Sequence, residues 1–89
     1  MNKRFLGIVV NYYRKHSVAE IVVQDEPFAL GDEIFVEGTT TGFFRQKVKS
    51  LQIESQAVAA APKGVHVALH FAEPIRRGDK LYVMRPKSK

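Results

Sequence analysis

Three histidines, a run of alternating cations and two Gly-Asp pairs are the residues of this 89-residue chain whose types and spacing bear on chemistry. His66 and His70 share one face of a strand-like segment, but four residues at ~3.3 Å each hold them roughly 13 Å apart, too far for one metal ion. They read as exposed strand histidines. His16 stands in the polar stretch Arg14-Lys15-His16-Ser17, and Ser17 beside it has neither a positioned base nor an orienting acid, so it is no nucleophile. Asp32 and Asp79 invite comparison with a catalytic carboxylate pair, yet each follows a glycine in a repeated motif and reads as a turn former. Arg77-Gly78-Asp79 matches a cell-adhesion tripeptide, but its twin Leu30-Gly31-Asp32 assigns the Gly-Asp to the turn. No catalytic residue, metal ligand, cofactor or small-molecule substrate is expected, and the chain reads as no enzyme.

Binding chemistry is a different matter. Arg45, Lys47 and Lys49 alternate, so on a strand they project from one face about 7 Å apart, close to the spacing of successive phosphates in an extended nucleic-acid strand. Arg76 and Arg77, Arg14 and Lys15, and the C-terminal lysines widen that patch, and Phe43 and Tyr13 offer rings for stacking unpaired bases. The expected partner on this reading is RNA, bound by charge and shape without base-specific readout. The plainer alternative is a solvated face whose lysines discourage edge-to-edge sheet pairing.

Composition frames both readings. The net charge of +5 divides unevenly: residues 25–37 hold five carboxylates (Asp25, Glu26, Asp32, Glu33, Glu37) and no cation, while residues 1–24, 38–72 and 73–89 carry +3, +3 and +4. Such a field favours an anionic partner, and the acidic corner suits a basic protein surface. There is no cysteine, hence no disulfide framework or thiolate chemistry. The apolar run Phe5 to Val10 is far below the ~20 residues that span a bilayer and shorter than a secretory h-region, so a cytoplasmic protein without membrane contact is expected.

These residues must be held by strands. The stretch Glu26-Pro27-Phe28-Ala29-Leu30-Gly31-Asp32-Glu33-Ile34-Phe35-Val36 returns 47 positions later as Glu73-Pro74-Ile75-Arg76-Arg77-Gly78-Asp79-Lys80-Leu81-Tyr82-Val83. Proline fixes φ, glycine reaches positive φ cheaply and aspartate bonds its own backbone, so each copy is a tight loop feeding a strand. Around them, residues 5–13 alternate with Leu6, Ile8, Val10 and Tyr12 on one face and Phe5, Val9 and Tyr13 on the other, and Val18 to Val23 completes a hairpin. Ile34 and Val36 point inward, and Glu33, Phe35 and Glu37 outward. A long fourth strand starts at Phe44 and flips its phase between Lys49 and Leu51, which predicts a β-bulge near Ser50 and leaves Gln46 facing inward without a partner. Gln56 to Gly64 reads as a loop or single turn, Val65 to Phe71 alternates cleanly, and Lys80 to Met84 is the sixth strand. Residues 1–85 form one domain; Arg85-Pro86-Lys87-Ser88-Lys89 reads as basic and mobile, with 86–89 as the tail proper.

Six motifs in this order carry a resemblance: Gly7-x-Val9, Ala19-x-Ile21, Leu30-Gly31-Asp32-x-Ile34, Val48-x-Ser50-Leu51-x-Ile53, Pro62-x-Gly64-x-x-Val67-x-Leu69 and Arg77-Gly78-Asp79-x-Leu81-Tyr82. The pattern resembles the translation-factor β-barrel, the second domain of elongation factor Tu and its relatives. It is also similar to the small C-terminal barrel of the collagenase-like peptidases, several of which resemble RNA-modification factors more than proteases. The resemblance implies an all-β, small closed six-stranded barrel, and for the translation factors a role in holding tRNA or touching ribosomal RNA. No Gly-x-x-x-x-Gly-Lys-Ser/Thr loop is present, so the chain is not itself a GTPase. The reading that follows is a translation-factor-like barrel binding tRNA or rRNA. Its alternative is a protein-interaction adaptor, docked on a separate GTPase or catalytic subunit through the acidic 25–37 corner or the apolar outer face of residues 5–13.

Overall fold

A computed structural model describes residues 2–86; the C-terminal lysines and most of the expected tail lie outside them. The chain is all-β, with strands β1 (Asn2–Tyr13), β2 (Val18–Val23), β3 (Phe28–Ala29), β4 (Glu33–Gly38), β5 (Gly42–Lys47), β6 (Gln52–Ile53), β7 (Gln56–Ala57), β8 (Ala60–Ala61), β9 (His66–His70) and β10 (Lys80–Arg85). A single 3-10 turn, Arg14–His16, joins β1 to β2, and no helix among the described residues is long and apolar enough to cross a membrane.

The expected count of six strands and the expected closure both need correction. Eight strands form one sheet in the order β5-β4-β10-β1-β2-β9-β6-β7, with β5 and β7 at its ends, and β3 pairs with β8 as a separate two-stranded piece. The supposed long fourth strand breaks into β5 and β6, which lie far apart in the sheet order, and β7 and β8 arise in the stretch read as a loop. The break at 48–51, and not a bulge near Ser50, accounts for the phase flip. The β4–β5 pairing runs on into the corner before the chain departs: Gly31 N–H donates to the Val48 carbonyl (2.9 Å) and Val48 N–H donates to the Asp32 carbonyl (2.8 Å).

The same exchange occurs at the second repeat. Gly78 N–H donates to the Val9 carbonyl (2.8 Å) and Val9 N–H donates to the Asp79 carbonyl (2.9 Å). Within each corner the aspartate closes the turn on itself. Asp32 Oδ2 accepts from Ala29 N–H (2.8 Å) and Asp79 Oδ2 from Arg76 N–H (2.9 Å), with Gly31 and Gly78 at φ of 89° and 91°. After the first corner, β4 pairs with the next strand, β5; after the second, β10 pairs with β1, so the beginning of the chain stands where the second copy runs out.

The bulges fall in β1, where register shifts between Phe5 and Gly7 and again between Val9 and Asn11. They reset the alternation, so Leu6 and Val9 enter the core while Ile8 and Val10 do not, contrary to the simple two-residue period. Gly7 sits between them because an added Cβ would overlap the Val22 carbonyl of β2. Elsewhere the alternation holds: Ile34 and Val36 of β4, Val67 and Leu69 of β9, Phe71, and Leu81 and Val83 of β10 are buried.

Gln46 closes the seam that backbone pairing leaves open. Its Nε2 donates to the His70 carbonyl (2.9 Å) and its Oε1 accepts from Ala72 N–H (2.9 Å), so one side-chain amide bridges β5 to the end of β9. The inward glutamine expected to lack a partner thus has two. Asp79, the one buried charged residue among those described, also accepts from the Thr41 hydroxyl, and Gly38 leaves it room, since a Cβ there would overlap the carboxylate.

Asp79→Ala removes a buried acceptor with two donors and is expected to destabilise the fold by about 2–3 kcal/mol, measured by urea denaturation. Gln46→Ala is expected to cost only ~1 kcal/mol, but to raise amide hydrogen exchange at Ala72 while leaving the interior of β9 protected.

Candidate docking surface

Arg45, Lys47 and Lys49 are all exposed, with half-buried Gln46 and buried Val48 between them, but the other cations assigned to RNA by sequence do not line the same cleft. Arg45 and Lys47 project outward from β5, but carboxylates face them on the neighbouring strand. Glu33 lies directly opposite Lys47, and its Oε2 is 3.7 Å from Arg45 Nε. Lys49 lies in the 48–51 break and lines, with Lys47, Gln46 and His70, an open cleft of about 410 Å³. Arg76 and Arg77 border a different cleft, about 560 Å³, with Thr39, Thr40 and Lys80. Arg14 reaches a third of about 460 Å³, where it meets Arg76 and Phe43. Lys15 lines none of these three, and Tyr13 faces a separate cleft beside His66.

The acidic corner is largely spent internally. Arg85, expected at the head of a mobile tail, is instead the last residue of β10. Its Nε donates to Glu26 (3.2 Å), its Nη2 to the Pro27 carbonyl (2.6 Å), and its Nη1 lies 3.0 Å from Asp32 Oδ2. Burial pulls its pKa down, but the hydrogen bonds and charges of Asp32 and Glu26 outweigh this and hold it above the ordinary arginine value. With Glu33 beside Arg45, the segment is a clamp for the fold more than a free docking site.

The catalytic inventory is thin. His66 Nδ1 is 2.7 Å from Glu20 Oε2 across β9 and β2, both side chains substantially exposed, and no hydroxyl is hydrogen-bonded to His66 among the described residues. His70 serves the seam through its carbonyl. Among the described residues no group of three or more His, Asp or Glu stands close enough to hold a metal ion.

What sequence reading missed is a continuous aromatic row across four strands. Phe5 of β1 lies opposite Tyr82 of β10, Tyr82 opposite Phe35 of β4, and Phe35 opposite Arg45 of β5. The rings touch: Phe5 and Tyr82 meet edge-on with centroids 5.7 Å apart, and Phe35 and Phe43 are tilted at 5.1 Å. Phe43 is 60% exposed, the most exposed large apolar side chain among those described. Lys3 Nζ lies 4.4 Å from the Tyr82 centroid and 5.9 Å from that of Phe43, and Arg45 lies 6.0 Å from that of Phe35. One signal was available. The repeat aligns Phe35 with Tyr82 at its aromatic position, and β4 and β10 pair directly.

Burial, and then the charge and hydrogen bond of Glu37, push the Tyr82 phenol above the ordinary tyrosine value. A raised folded-state pKa means a contribution to stability fully present below the unfolded value near 10 and lost as pH rises through the folded value. In an ultraviolet tyrosinate titration, one of the three tyrosines is therefore expected to ionise late, and Tyr82→Phe to abolish that component.

No family model matches the chain. A Porphyromonas gingivalis protein named collagenase is 36% identical over 80 residues, covering 90% of this chain and 22% of its own length. A Methanocaldococcus jannaschii protein named as an uncharacterised protease is 40% identical over 80 residues, covering 90% of this chain and 19% of its own. The chain thus spans about a fifth of the length of the curated relatives it matches. Among solved structures, the C-terminal domain of a Geobacillus thermoleovorans protein described as a U32 peptidase superposes with a TM-score of 0.84 at 19% identity, over 92% of this chain and 93% of that one. Its selenomethionine variant gives 0.82 at 21% identity, over 88% and 96%. The chain shares that domain's fold. Of the two resemblances seen in the motifs, the one to collagenase-like peptidases is supported. The relatives are named collagenase and protease, not translation factors, and this corrects the expectation of a translation-factor-like RNA-binding barrel.

Proposed function

We propose that this chain is a non-catalytic accessory domain of the collagenase-like U32 peptidase kind, acting by packing against a larger catalytic protein. The observation that carries this reading is the mismatch of lengths: the similarity takes in 90% of this chain but about a fifth of its relatives. Chemistry in those relatives then belongs to the remaining four-fifths. The inventory of side chains agrees in kind, since the His66–Glu20 pair is open to solvent and has no hydroxyl hydrogen-bonded to it among the described residues. A small β domain with a wide, rigid outer sheet is well suited to docking, because its backbone positions surface side chains without a folding cost at the moment of contact.

The test is a segment exchange. In the Porphyromonas gingivalis collagenase, the matching 80-residue segment is deleted, or replaced by this chain, and gelatin hydrolysis is followed. The deletion is expected to lose most activity and the replacement to restore it, while the isolated chain hydrolyses nothing. A replacement no better than the deletion, or gelatin cleavage by the chain alone, overturns the reading.

A further inference from the structure

We infer that the outer face of β1, β10, β4 and β5 is the docking surface of the domain, and that it fits an apolar protein surface rimmed by carboxylates. This rests on the accessory-domain reading and names the surface that reading requires. The centre is the row Phe5–Tyr82–Phe35, extended by Phe43, on the outside of a sheet whose inner side is already filled by Ile34, Val36, Leu81 and Val83. These rings are held by one another and by rigid strands, so little side-chain freedom remains to be lost on contact. Rigid aromatic clusters of this type dominate binding energy at protein interfaces.

The rim sets the sign of the partner. Lys3, Lys80, Arg45 and Lys47 point outward against only Glu33 and Glu37, and Glu33 is taken by Arg45. No carboxylate stands within ion-pair distance of Lys3 among the described residues; its ammonium rests on the rings of Tyr82 and Phe43. A partner carboxylate there meets a positioned cation and an apolar floor. The same arrangement disfavours RNA. Lys3 and Arg45 stand over the faces of Tyr82, Phe43 and Phe35 on which a base would stack, and Glu33 and Glu37 are interleaved where phosphates would run.

The segment-exchanged collagenase decides the matter with two independent face variants, Phe43→Ser and the double variant Lys3→Glu/Arg45→Glu. Lys15→Glu/Lys63→Glu, outside the face, is the charge-matched control. All these side chains are exposed, and thermal melting of the isolated chains checks the fold. Both face variants are expected to lower gelatin hydrolysis of the exchanged protein at least about tenfold, with the control within about twofold of the unsubstituted exchange. If the unsubstituted exchange restores activity and the face variants restore it equally, the docking face is overturned and the accessory function stands. If the unsubstituted exchange fails, both fall. Binding of a labelled single-stranded RNA that the face variants abolish, with gelatin hydrolysis unchanged, overturns the protein partner in favour of a nucleic acid.

Discussion

The structure depends on one exchange of two backbone hydrogen bonds made twice. At each Gly-Asp corner a glycine N–H and an aspartate carbonyl embrace a single valine, Val48 in the first and Val9 in the second. An antiparallel pair of this kind fixes the direction and the depth of the segment it captures. The first exchange closes the open end of the β4–β5 hairpin, and the second ties β1 to a corner near the other end of the chain. The aspartate carboxylates are then free to close their own turns, and they share that task with little else except Arg85 on one side and Thr41 on the other.

Consequences spread from these two points. Beyond Val48 the chain departs from β5, and the amide of Gln46 bridges β5 to the end of β9 in place of a backbone ladder. Capture of Val9 accompanies the bulge that turns β1 across the sheet, where it completes the pairing that β5 provides for β4. The domain is therefore two similar halves, one of them finished by the far end of the chain. It places the aromatic positions of both copies side by side on the outside.

On that outer row shape and charge meet. The chain matches about a fifth of the length of its curated relatives, and the His66–Glu20 pair is open to solvent. The acidic segment turns Glu26 and Asp32 to Arg85 and Glu33 to Arg45, while Lys3 stays on the outer face against the rings of Tyr82 and Phe43.

By itself the sequence determined the elements whose causes are short-range. Proline, glycine and aspartate at fixed spacing specified both corners, and the two-residue period placed Ile34, Val36, Val67 and Leu69 inside and Phe35 outside. It could not place what depends on partners distant in the chain. Leu6 and Val9 both reach the core only because β1 bulges against two different neighbours, β10 and β2. Gln46 is satisfied by His70 and Ala72, and Arg85 by Glu26, Pro27 and Asp32, contacts between 24 and 59 residues away. Tertiary structure also decided that Glu33 faces Arg45 and Lys47 and that Phe5, Tyr82 and Phe35 are a row. Alternation tells which side of its strand a side chain takes; only pairing and register tell what stands beside it.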